Sequence, residues 1–212
     1  VPDSTCTTRM SGDHRQFFES AALHWKDVAG EKKASILKRI IQAAHIEIGD
    51  RILDIGSGTG ILLPTLREAV GEKQRIVALD LAFNMVRRAS RRFGHLCNYV
   101  QGDAHLLPLK GSSFDKVICF SSFPHFTDKA RALIEISRCL KTGGTLIIAH
   151  SAGRDAINTM HREIAGVVKS DSLPEEKRML VLMTKAGFAH VSILEGKDIY
   201  VALGVKCDAK DQ

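Results

Sequence analysis

The chain has 212 residues, 44% of them hydrophobic and 25% charged, a balance that excludes wholesale disorder and fits one domain, or one domain with a cap. Thirty Lys and Arg against 24 Asp and Glu leave a net charge of +6, which permits an anionic ligand without demanding nucleic acid. Five scattered cysteines (Cys6, Cys97, Cys119, Cys139, Cys207) with no CxxC pair indicate neither a disulfide framework nor a zinc ribbon, and they suit a reducing compartment.

No stretch approaches the ~18 apolar residues of a membrane span. Val1 to Arg9 is polar and lacks the apolar core of a signal peptide, so a cytoplasmic location is expected. Residues 1–11 read as a flexible N-terminus, 12–47 as a helical cap and 48–207 as the main domain. The cap predicts a helix over 13–29 around Phe17, Phe18 and Trp25. A second, amphipathic helix is predicted over 31–46, with Ile36, Leu37, Ile40 and Ile41 at spacings of three and four. Gly49-Asp50 is the turn that ends it.

Short β-branched runs then alternate with helical patterns. Strands are predicted at Arg51–Ile55, Arg75–Leu79, Cys97–Val100, Lys116–Phe120 and Thr145–His150. Helices are predicted between them at about 61–69, 82–93 and 128–140. Thr142-Gly143-Gly144 reads as the turn into the fifth strand. Helices follow at about 154–168 and from Pro174 to Ala186, then strands at 189–194 and 199–205. Strands separated by helices imply a largely parallel sheet. The runs Val117–Phe120 and Leu146–Ala149 are apolar throughout and suit strands buried on both faces. Glu195–Asp198 is short enough only for a hairpin, so the last strand is antiparallel. The expected fold is α/β: a seven-stranded, mostly parallel Rossmann-like sheet with an N-terminal helical cap.

The first strand enters Gly56-Ser57-Gly58-Thr59-Gly60 at the head of a helix, where backbone N–H groups and the helix dipole face a ligand. A dinucleotide fingerprint wants its third glycine three places after the second, where this chain has Ile61. The spacing suits a ligand with no pyrophosphate. Asp80, at the end of the second strand, stands where an acid accepts the hydroxyls of a ribose; the other reading is a turn aspartate.

The segments ILDIGSGTG, VALD, GDAHLLPL, FDKVICFSSFPHF and ISRCLKTGGTLIIA, in this order, resemble the S-adenosylmethionine-dependent methyltransferases of the Rossmann-like class. Within it they are most similar to the ubiquinone/menaquinone-biosynthesis type. The resemblance covers residues 17–150 and is weak over 151–187, the region that commonly shapes the substrate site. It implies S-adenosyl-L-methionine as cofactor. Asp54, Gly56, Ser57, Gly58 and Gly60 are then expected along its methionine half, and Asp80 on the ribose. Leu81 and Met85 are expected against adenine, Asp103 at the adenine amino group with Ala104 beside it. Phe120 and Ser121 are expected under the sulfonium. The residue after Ala104, often acidic in relatives, is His105 here.

Histidines fall where an open α/β sheet binds ligands, at the carboxyl ends of its strands. His125 follows the fourth strand, His150 ends the fifth, and His161 lies along the next helix. Each is a candidate base or a hydrogen-bonded structural residue. His150 and His125 are taken as the catalytic candidates, His150 as the one facing the methyl group. The separations of His105, His125, His150 and His161 match no compact ligand motif, and no metal is assigned. The arginine run Arg87, Arg88, Arg91, Arg92 reads as a solvated helix face, not a nucleic-acid patch. The function expected is methyl transfer to a small-molecule acceptor by in-line displacement. The alternatives are a cofactor-binding subunit or sensor without chemistry, and a thiol or metalloid methyltransferase. A nicotinamide-dependent reductase is opposed by Ile61. The oligomeric state is left open, a homodimer included.

Overall fold

A computed structural model describes residues 4–25 and 31–208. Two helices, α1 (Ser4–His24) and α2 (Glu31–Ala43), precede the sheet. Then come β1 (Ile52–Ile55), α3 (Leu63–Val70), β2 (Ile76–Asp80), α4 (Phe83–Phe93), β3 (Asn98–Gln101) and β4 (Phe114–Phe120). The chain closes with α5 (Lys129–Cys139), β5 (Leu140–His150), α6 (Arg154–Glu163), α7 (Glu176–Lys185), β6 (Phe188–Gly196) and β7 (Ile199–Lys206). The strand order is β3-β2-β1-β4-β5-β7-β6. β1 to β5 pair in parallel, and β7 lies antiparallel between β5 and β6. Among the described residues, no helix is long and apolar enough to cross a membrane.

Within the central strands the runs Val117–Phe120 and Leu146–Ala149 are apolar at every position because each face meets a helical layer. Val117, Cys119, Leu146 and Ile148 point into one core with Leu133 and Ile136 of α5 and Met179 and Met183 of α7. Ile118, Phe120, Ile147 and Ala149 point into the other, against Ile36, Leu37, Ile40 and Ile41 of α2 and Leu63 and Leu66 of α3. The period of two along each strand divides one apolar run between two cores. Each large side chain so buried contributes about 1.5–3 kcal/mol.

Boundaries differ from the sequence reading where glycines sit. The predicted turn at 142–144 is a bulge inside β5: the ladder steps from Phe114–Leu140 to Lys116–Thr145, with Gly143 at φ +77°. A Cβ on Gly144 would lie 2.9 Å from the Lys141 carbonyl oxygen and 3.0 Å from that of Asp115. The helix predicted to 168 ends at Glu163; Gly166 takes φ +94° and a 3₁₀ turn, Val167–Ser170, follows. The first helix runs from Ser4, within the segment expected to be a flexible N-terminus, and ends at His24. The end of its predicted span, 26–29, lies outside the described residues, as do residues 1–3, 30 and 209–212.

The order reverses between β1 and β4: the chain winds outward to β3 on one side and to β5 on the other. A cleft therefore opens at the carboxyl ends of β1, β2 and β4.

Candidate active site

A cavity of about 260 Å³ occupies that cleft. The glycine loop forms its floor. Gly56 and Ser57 N–H groups donate to the Leu79 carbonyl at 2.8 and 3.1 Å, tying the loop to the end of β2. Gly58 N–H donates to Asp80 Oδ2 at 2.8 Å, and Ala82 N–H to Oδ1 at 2.9 Å. Asp80 is thus both a turn aspartate and a cavity-lining carboxylate. Each oxygen keeps a second lone pair. Burial pushes its carboxyl up to about 6, against the backbone donors that favour the charged form. Behind the loop, Asp54 is fully buried with Oδ2 unpartnered; burial and the Asp80 charge push it up to about 7.

Of the residues expected to hold the cofactor, all line the cavity except Asp54 and Gly60. Gly60 packs the loop down instead: a Cβ there would meet Leu63, Phe93 and Ala89 at 2.9–3.3 Å. Ser121 lines the cavity at φ +54°, a strained conformation for a side-chain-bearing residue. Ser122 Oγ donates to the Ile55 carbonyl at 2.7 Å and joins the ends of β1 and β4. Asp103 Oδ1 accepts from His105 N–H at 2.9 Å and from its Nδ1 at 2.5 Å. His105 Nε2 accepts from Asp128 N–H at 3.1 Å, which leaves the proton on Nδ1.

α1 covers the mouth. Its Glu19 accepts from Phe83 and Asn84 N–H at 2.7 and 2.8 Å, capping α4. Arg88 of the arginine run donates back to the carbonyls of Ala22 and Trp25. His14, Phe18 and Trp25 face the cavity, whereas Phe17 lies beside Gly166.

The histidines divide. His125 lines the cavity. His150 does not: it is 4% exposed, and its ring meets Tyr200 edge-on at 6.2 Å. β7 lies directly alongside β5 with Tyr200 as the cross-strand partner of His150, and the His150 ring packs there instead of lining the cavity. His150 Nε2 has no partner, and burial, with His125 and His161 nearby, pushes the ring down to about 3. The expectation that His150 faces the methyl group is corrected on this geometry. His161 is buried and donates from Nδ1 to the Asp171 carbonyl at 3.1 Å.

Two residues the sequence reading missed are His14 and Asp171. Asp171 Oδ2 accepts from His125 Nδ1 at 2.6 Å, and both its oxygens lie 3.0 Å from His14 Nε2. The only signal in the sequence was His14 four residues before Phe18, on one helical face.

Among the described residues, no Lys or Arg lines the cavity of this basic chain, while Asp80 and Asp103 do. A pyrophosphate would find no cation there. A cationic ligand fits, and the buried, unpartnered Ser57 hydroxyl and the open space before the Gly58 Cα suit its polar end.

Residues 53–148 match the family profile described as "Methyltransferase domain". The match spans 96 of the 212 residues, the stretch that holds the glycine loop, Asp80, Asp103 and His125. The chain is 34% identical over 116 residues to a ubiquinone/menaquinone biosynthesis C-methyltransferase of Teredinibacter turnerae, covering 52% of this chain and 47% of that protein. An uncharacterized protein of Methanocaldococcus jannaschii is 33% identical over 133 residues, covering 63% and 49%. The chain thus spans about half the length of the curated relatives it matches. A SAM-dependent methyltransferase from Aquifex aeolicus superposes with a TM-score of 0.68 at 20% identity, covering 88% of this chain and 97% of that one. The Haloferax volcanii putative methyltransferase solved with its Trm112 activator gives 0.72 at 21% identity, covering 90% and 98%. At such identities these structures share the fold alone.

Proposed function

We propose that the chain binds S-adenosylmethionine in this cavity and transfers its methyl group to a small-molecule acceptor by in-line displacement. The observation that carries the reading is the wall itself: carboxylates, a glycine loop and no Lys or Arg among the described residues. When bound, the sulfonium supplies an electrophilic methyl carbon. The protein's share is to align that carbon with the acceptor, a positioning effect worth up to ~7–11 kcal/mol. In this reading Asp80 takes the ribose hydroxyls, Leu81 and Met85 flank adenine, and Asp103 with Ala104 meets its amino group. Gly56, Ser57 and Gly58 take the methionine half, with Phe120 and Ser121 beneath the sulfonium. Asp54 acts from behind the loop as a buried charge. α1 excludes water over the reacting atoms, and His125 is the side chain placed to act on the acceptor.

Calorimetry with S-adenosylmethionine, S-adenosylhomocysteine and NADH tests this directly. Binding of the first two and not the third is expected. Absence of binding, or preference for NADH, would overturn it. Release of S-adenosylhomocysteine with a panel of acceptors then separates an enzyme from a binding subunit.

A further inference from the structure

We infer that His125 is the base that deprotonates a neutral acceptor, and that Asp171, anchored by His14 and His161, is the residue that positions it. This rests on the methyltransferase reading and deepens it by naming the acceptor's chemistry. Asp171 is 9% exposed, and its carboxylate lies between two imidazoles. Burial works to raise its carboxyl, but the hydrogen bonds from His125 and His14 outweigh that and hold it below the usual range. An ionised carboxylate only accepts, so His125 must carry a proton on Nδ1. Nε2 is then the ring's basic nitrogen.

The ring is held on two further sides. Phe18 of α1 meets it edge-on at 4.9 Å, and His161 of α6 does so at 4.9 Å. The turn beneath is also locked: Lys129 Nζ donates to the Pro124 and Phe126 carbonyls at 2.9 and 3.0 Å. Among the described residues, the ionisable groups that bear on His125 and its carboxylate include Asp171, His14, His161, His150 and Lys129. Of these, Asp171 alone bears negative charge, in contact with Nδ1. It stabilises the imidazolium that forms when Nε2 takes a proton.

The acceptor follows from this arrangement. A thiol, ionising near 8.5, needs little help from a base. A phenol or enol, ionising near 10, gains from one. With no Lys or Arg on the described wall, an anionic acceptor has no counter-charge. A neutral molecule with an ionisable O–H is the class that fits. The O–H proton passes to His125 Nε2, the oxygen's electron pair forms the bond to the methyl carbon, and the C–S pair returns to sulfur. The proton leaves His125 for water after product release.

Nitrogen-15 NMR of the imidazoles, with His125 assigned from His125→Gln, reads the arrangement with no acceptor present. Expected is a neutral His125 protonated on Nδ1 in the native protein, and a tautomer shift in Asp171→Asn. A proton on Nε2, or a spectrum unchanged by Asp171→Asn, would overturn the assignment. Turnover supplies the second arm, with catechol as the hydroxyl probe and 2-mercaptoethanol as the thiol probe. Asp171→Asn and His125→Gln should lower catechol methylation ~10²–10⁴-fold, with S-adenosylhomocysteine affinity within two-fold of native. Methylation of the thiol alone, or loss of S-adenosylhomocysteine binding in Asp171→Asn, would refute the role. Failure of the native protein to bind S-adenosylhomocysteine would instead defeat the methyltransferase reading itself.

Discussion

Two glycines two residues apart should fail in opposite ways. Gly56 has φ +70°, and a Cβ there would lie 2.3 Å from Ser122 Cβ and 2.9 Å from its Oγ. That hydroxyl holds the ends of β1 and β4 together. Gly58 has φ +55°, and a Cβ there meets nothing within 4 Å. Left-handed backbone costs an L-residue roughly 1–2 kcal/mol, which is the whole stability loss expected for Gly58→Ala. Gly56→Ala adds overpacking of about 1–3 kcal/mol, for a total of about 2–5 kcal/mol. At roughly 2–4 °C per kcal/mol for a chain of this size, Gly56→Ala melts well below Gly58→Ala. Ligand reverses the ranking. S-adenosylhomocysteine at 100 times its Kd stabilises by about 2.7 kcal/mol, roughly 5–11 °C. Gly56→Ala, if folded, should keep most of that shift, because its methyl is spent against Ser122. Gly58→Val should lose it, because its side chain fills the space before the loop. Thermal denaturation with and without S-adenosylhomocysteine measures both. A full ligand shift in folded Gly58→Val, or a native melting temperature in Gly56→Ala, would refute the geometry.

Three further outcomes follow from the charges. Asp80→Asn should weaken S-adenosylhomocysteine binding by about 1–3 kcal/mol, roughly five- to 150-fold; unchanged calorimetric affinity would remove the ribose role. Asp54 and Asp80 are raised on folding from 3.8 to about 7 and about 6, so their contribution to stability is full below pH 4 and fades as pH rises through those values. A bound cation favours their ionised forms, so S-adenosylmethionine should release protons at pH 6 and almost none at pH 8.5, read by calorimetry in two buffers of different ionisation enthalpy; equal release at both would be wrong for this site. His150 runs the other way, from 6.5 unfolded to about 3 folded, so its contribution is full above pH 6.5 and lost as pH falls towards 3, about 2 kcal/mol by pH 5. His150→Phe should flatten that part of the acid slope in urea denaturation while leaving cofactor affinity intact; an unchanged slope would contradict the buried neutral ring.

What could be read from the sequence was whatever local chemistry determines. Runs such as Leu146–Ala149 announce a strand between two helical layers, because no other placement removes every side chain from water. The glycine loop and Asp80 were legible because backbone conformation at one turn sets their spacing. Bulge and helix ends at Gly143 and Gly166 were missed because a glycine permits a turn without dictating where the strand stops. His150 was misplaced for a topological reason. What packs against a histidine ending an apolar strand depends on the neighbouring strand, and β7, far along the chain, sets Tyr200 beside His150. Asp171 was invisible because its partner His14 lies 157 residues away, and no local pattern encodes such a pairing.

The two halves of the cavity follow opposite electrostatic plans, and this bears on why one pocket can hold a cation and still remove a proton. On the glycine-loop side, Asp54 and Asp80 form no ion pair among the described residues and are raised towards neutrality, so an arriving positive charge is met by groups ready to ionise. On the His125 side the Asp171 carboxylate is already spent on two imidazoles and stays ionised. A free carboxylate there would compete for the cation. Sheathed by His14 and His125, its charge acts on the ring instead. His14 belongs to the helix whose Glu19 caps α4, so the element that covers the cofactor cavity also completes the carboxylate's shell. Covering the cavity and orienting the base are consequences of the same packing of α1.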